Sequence, residues 1–116
     1  MLTGLLEIAR AAGTGLVVDL DAIPLLPEGR TLCREFGLDP LGTLASGALL
    51  LTVEDQATGR LAETLAAAGY PSAVIGRVTP PDGGLVALRA GERVPWPEFA
   101  ADEVTAIFAQ PAPRKA

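Results

Sequence analysis

Apolar positions near the start of the chain recur every three or four residues, which is the spacing of an amphipathic helix. They are Leu2, Leu5, Leu6, Ile8, Ala9 and Ala12, and polar residues lie between them. Gly13 follows directly, and it predicts a left-handed cap that ends the helix. Residues 15–20, GLVVDL, predict a short strand because Val17 and Val18 are β-branched.

Proline and glycine bound the next helical segments. Pro27 suits the first turn of a helix, and Gly37 predicts the end of that helix. The apolar face expected on it consists of Gly29, Leu32, Cys33 and Phe36. Asp39 then predicts an N-cap, with Pro40 at the first position of a further helical turn.

The most apolar run of the chain follows a turn at Ser46 and Gly47. Residues 48–53 are ALLLTV, and a mostly apolar run of this length is typical of a strand buried on both faces. Gly47 has the backbone freedom that a swing into such a strand requires. The sequence therefore predicts a buried strand at 48–53.

The second half of the chain predicts a helix followed by two strands. Apolar positions between residues 57 and 68 share one helical face, which stops at Gly69. Strands are expected at 73–79 and 85–89. The PPDGG loop at 80–84 is expected to join these two strands as a hairpin.

A last helix is expected at 98–108, which gives the element order α-β-α-α-β-α-β-β-α. Alternation of strands and helices implies crossover connections, so we expect an α/β (α+β) fold in which helices pack on a mixed β-sheet. Residues 1–109 are expected to form one domain. Residues 110–116 contain two prolines and are expected to be a disordered tail.

Composition narrows the function classes. The 116 residues carry a net charge of −5, which argues against a sequence-blind nucleic-acid binder because phosphate contacts need clustered basic residues. One Cys and no His exclude an intramolecular disulfide and remove the commonest general base and metal ligand. No apolar run reaches the length of a membrane span, and no signal-peptide pattern is present. We therefore expect a cytoplasmic protein with no nucleic-acid or membrane partner.

Several residues could carry chemistry, and each also has a simpler structural interpretation. Cys33 could be a nucleophile, but without a His to activate it a buried structural thiol is expected. Asp19 and Asp21 could bind a metal, but two carboxylates make a weak magnesium site, which favours a solvated strand end. The DGG of residues 82–84 could hold phosphate, but no helix follows it. Trp96 could anchor a partner, although packing against its own domain is favoured.

Residues 4–53, GLLEIARAAGTGLVVDLDAIPLLPEGRTLCREFGLDPLGTLASGALLLTV, resemble the C-terminal domain of the aminoimidazole ribonucleotide (AIR) synthetase superfamily, also called PurM-like. The resemblance lies in an ordered set of pieces: a helix-Gly-x-Gly-strand unit, a DAIP turn, a GLDPL step and a Ser-Gly opening. Residues 70–79, YPSAVIGRVT, resemble the later Ile-Gly-x-Val strand of the family. The branch that the chain resembles most contains hydrogenase expression/formation protein E and AIR synthase-related proteins. The resemblance covers about positions 4–90.

The resemblance implies a PurM-like C-terminal domain in which Ser46 and Gly47 lie near an interdomain groove and could bind a ligand. A turn needed only for strand entry is the favoured alternative. The resemblance implies that family members carry their ATP- and metal-binding residues on a separate N-terminal domain. Their C-terminal domain carries a His-Asp-Pro-Thr segment that this sequence lacks. We therefore expect a domain truncated at its N-terminal end, without catalytic or metal-binding residues. ATP and Mg²⁺ are expected only with a complementing domain.

Three functions follow, in order of preference. The first is a non-catalytic fragment or reduced homologue of a hydrogenase-maturation protein, which acts through a homodimer or a separate N-terminal-domain partner. The second is a subunit that completes the substrate or ATP cleft of a split enzyme. The third is a free-standing small-molecule binding module. A mean hydropathy of +0.36 and a sheet left uncovered by truncation both favour association.

Overall fold

The computed structural model describes residues 1–109, and the tail predicted at 110–116 lies outside them. The helices within this range are α1 (Leu2–Ala12), α2 (Pro27–Phe36), α3 (Thr58–Ala67) and α4 (Thr105–Ala109). The strands are β1 (Gly15–Asp19), β2 (Gly76–Thr79), β3 (Leu85–Arg89) and β4 (Glu92–Val94). Short 3-10 turns lie at Leu20–Ala22, Pro40–Gly42, Asp55–Ala57 and Pro81–Gly83.

The four strands form one mixed sheet in the order β2-β1-β3-β4. β1 is antiparallel to β2 and parallel to β3, and β4 is antiparallel to β3. In this register, Val17 lies opposite Arg77 on one side and Val86 on the other. The mixed sheet together with its helices confirms the predicted α+β class.

The hydrophobic core lies between α1 and the middle of the sheet. Leu5 and Ala9 of α1 join Leu16 and Val18 of β1 in one buried cluster, and Ala87 of β3 completes it from the neighbouring strand. The other buried members are Leu2, Leu20, Ile23 and Leu41. Burial of the apolar stripe of α1 against the central strands therefore accounts for most of the core.

Local signals set the ends of the first elements as predicted. Gly13 and Gly37 adopt left-handed φ values of 63° and 66°, and each ends its helix. The Asp39 carboxylate accepts a hydrogen bond of 2.9 Å from the Leu41 N–H, which caps the turn that Pro40 begins. These predictions are confirmed because each depends on residues close in sequence.

The hairpin predicted at 80–84 is wrong. Both of its strands exist, as β2 and β3, but β1 lies between them, so the loop is a crossover above the end of β1. A Cβ on Gly15 would lie 2.7 Å from the carbonyl oxygens of both Pro80 and Gly84, which explains the glycine at this position. The hairpin of the structure joins β3 to β4, and the sequence analysis missed it. Its turn uses positive φ values at Ala90 and Gly91.

The buried strand predicted at 48–53 is also wrong. The segment forms no strand, and none of its residues is buried. Leu49 is 78% exposed and Leu51 is 55% exposed. An apolar run becomes a buried strand only where other strands and a covering layer flank it, and residues 1–109 supply neither at this place.

Two predicted helices differ from the structure. On α2 only Cys33 is buried, whereas Leu32 and Phe36 are exposed because no described element covers their side of the helix. The last helix begins at Thr105 rather than at residue 98. The residues before it follow an irregular path along which Phe99 packs against the core.

Candidate functional site

A groove lies where the start of α1 meets the turn at Ser46. Its volume is about 650 Å³. Three parts of the chain line it: the first two turns of α1, residues 42–50 except Gly47 and Leu49, and residues 99–102. We call it the Ser46 groove. Of the two predicted ligand-binding residues, Ser46 lines it directly.

Gly47 shapes this groove through the backbone. Its φ of 88° closes a turn in which the Ala48 N–H donates to the Ala45 carbonyl at 3.0 Å. The turn is therefore real, but it leads into the exposed segment 48–53 and not into a strand. Ligand binding by Ser46 and Gly47 stays a prediction.

The polar groups that line the groove are few and of limited chemical type. They are the hydroxyls of Thr3, Thr43 and Ser46 and the carboxylates of Glu7 and Asp102. The Thr43 hydroxyl donates to the Pro40 carbonyl at 2.7 Å, and Asp102 accepts from the Val104 N–H at 2.9 Å. Such a lining can offer hydrogen bonds to a small polar ligand, but among the described residues no hydrogen bond joins one of its carboxylates to one of its hydroxyls, as an activated nucleophile requires.

One wall of the groove is fixed by contacts between distant parts of the sequence. The Glu103 carboxylate accepts from the Asp39 N–H at 3.1 Å, and the Glu103 N–H donates to the Gly42 carbonyl at 3.1 Å. A Cβ on Gly42 would clash with the Phe99 ring, so glycine allows Phe99 to pack there. Sequence analysis missed this clamp because nothing local links Glu103 to Asp39.

The two aspartates at the end of β1 have structural roles. Asp19 accepts a hydrogen bond of 3.0 Å from the Asp21 N–H and so caps the following 3-10 turn. Asp21 accepts from the Ala90 N–H at 2.7 Å, which fastens the β3–β4 turn to the end of β1. Within residues 1–109, His, Cys, Asp and Glu side chains form no group of three or more that could hold a metal ion.

Cys33 and Trp96 both serve packing. The Cys33 thiol is free and buried, as expected for a structural residue. Trp96 is partly buried and packs against the core cluster, which confirms the interpretation that it serves its own domain. No helix in the described part of the chain is both long and apolar enough to cross a membrane.

The most unusual surface is the apolar segment, which we define as residues 48–53. Leu50 turns inward and packs against the core, whereas Leu49, Leu51 and Val53 point outward and are 78%, 55% and 45% exposed. Among the described residues, none accepts a hydrogen bond from an N–H of residues 49–53 or donates one to their carbonyls. An exposed apolar segment whose backbone groups have no partner within residues 1–109 can serve as a template for pairing with another chain.

Comparison with known proteins identifies the family. The sequence model described as "AIR synthase related protein, C-terminal domain" matches residues 1–88. A protein named carbamoyl dehydratase HypE from Rhodobacter capsulatus is 41% identical over 85 residues, which are 72% of this chain and 25% of that protein. The protein of the same name from Rhizobium leguminosarum bv. viciae is 33% identical over 84 residues, covering 71% of this chain and 24% of the relative.

A third relative of the same name, from Cupriavidus necator, is 44% identical over 48 residues, or 41% of this chain and 14% of its own length. No solved structure gives a significant match. The chain spans about a quarter of the length of the first two relatives. The match over residues 1–88 nevertheless covers most of the described sequence, and it shows that the chain belongs to the AIR synthase related protein C-terminal domain family.

Proposed function

We propose that this chain is a partner-dependent domain of its family that is not catalytic on its own. The observation that carries the proposal is the apolar segment. Its outward side chains are exposed, and its backbone groups at 49–53 make no hydrogen bond within the described residues. Contiguous exposed apolar surface of this kind marks sites of protein association more often than it persists in monomers.

The total surface supports the same proposal. A compact folded chain of 11.9 kDa exposes roughly 6,000 Å², whereas this chain exposes 8690 Å². Residues 110–116 carry too little mass to account for the difference, since even an unfolded chain exposes only about 1.45 Å² per dalton. The excess of about 2,700 Å² exceeds the roughly 800 Å² that one partner buries in an interface of standard size. The excess exposed surface is therefore large enough for a stable interface with a partner protein.

The candidate catalytic residues of the chain support the proposal that it does not catalyse a reaction on its own. The chain contains no His, and Asp19, Asp21 and Asp102 already accept backbone hydrogen bonds. Cys33 is buried. A general base must reach the proton that it removes, and within residues 1–109 no carboxylate is hydrogen-bonded to a hydroxyl or thiol that it could activate.

We propose that the assembly served by this domain is related to the one in which the HypE proteins act, namely hydrogenase maturation. The relatives are named carbamoyl dehydratases, and this chain would contribute a domain to such a protein rather than the reaction itself. In this proposal ATP and Mg²⁺ bind to the complementing part, and the assembly works in the cytoplasm.

The Ser46 groove favours a second candidate function, in which the chain completes a ligand cleft for a separate subunit. The groove is open, and hydroxyls of Ser46 and Thr3 line it. It would form one half of a site whose other half lies on the partner. Under this alternative the partner gains affinity for its ligand when this chain is added.

ATP hydrolysis by the purified chain tests the main proposal. Phosphate release with Mg²⁺ should not exceed that of a heat-denatured sample. The second arm adds the part of the Rhodobacter capsulatus relative that lies outside the matched 85 residues, and a complex should form on mixing. ATP turnover that follows the isolated chain through purification would overturn the proposal. A Ser46→Ala variant that weakens ligand binding by the complex, without weakening its assembly, would support the cleft alternative.

A further inference from the structure

We draw no further inference here: the strongest candidate, the Ser46 groove between the start of α1, the turn at Ser46 and residues 99–102, belongs to the site already described, and nothing in the structure shows what occupies it.

Discussion

Helices α1 and α3 have related sequences and different surroundings. Residues 3–12, TGLLEIARAA, and residues 58–67, TGRLAETLAA, share five of ten aligned positions. α1 buries Leu2, Leu5 and Ala9, whereas α3 buries no residue. The difference lies at the buried positions themselves, because Leu5 and Ala9 of α1 align with Arg60 and Thr64 of α3. Helical spacing alone therefore predicts a helix, but it does not predict how many residues of that helix are buried.

The same contrast extends to the flanking chain. No residue between Leu41 and Ala87 is buried, although this stretch contains the apolar segment. β2 lies within this stretch and pairs with β1, yet the residues of the stretch are half-buried at most. The comparison indicates that the two parts differ both in the residues at equivalent positions, as between α1 and α3, and in what covers them, as at the apolar segment.

The largest expected effect comes from shortening one leucine in each helix. Leu5→Ala removes a core side chain that is 8% exposed, and we expect it to lower the free energy of unfolding by about 2–5 kcal/mol. Leu65→Ala in α3 removes a half-buried side chain, and its cost should be about 1 kcal/mol or less. Urea unfolding followed by circular dichroism at low micromolar concentration measures both. Equal losses would show that α3 is as well covered as α1.

A smaller effect is expected at the glycines that begin the two helices. A Cβ on Gly59 would meet nothing within 4 Å, so Gly59→Ala should stabilise the chain by up to about 1 kcal/mol through helix propensity alone. At the aligned Gly4, the new Cβ would lie 3.3 Å from Leu50, and the gain should be smaller or absent. Thermal unfolding of the two variants decides this. A larger gain at Gly4 than at Gly59 would contradict the comparison.

Sequence reasoning succeeded where the cause is local. Gly13, Gly37 and the cap at Asp39 depend on residues within one turn, and their backbone and hydrogen-bond requirements can be read directly from the chain. The helix containing the buried Cys33 was found for the same reason.

Sequence reasoning failed where a structural feature depends on residues that are distant in sequence. The loop at 80–84 has the composition of a hairpin, yet β1 (Gly15–Asp19), far earlier in the sequence, lies between the strands that it joins. The Glu103 clamp on Asp39 spans 64 positions and has no local signature. The apolar segment has the composition of a buried strand, but burial depends on neighbours that no local pattern specifies.

Amide hydrogen exchange of residues 49–53, compared with that of β1, tests the central claim most directly when it is measured with and without the part of the Rhodobacter capsulatus relative that lies outside the matched residues. In the chain alone the amides of the apolar segment should exchange almost freely, while those of Leu16 and Val18 in β1 are protected by the sheet. With that part of the relative added, the segment should exchange at least about tenfold more slowly because it is covered, with β1 unchanged. Protection of residues 49–53 equal to that of β1 under both conditions would mean that the chain covers this segment itself. The account of an open domain that waits for a partner would then be contradicted.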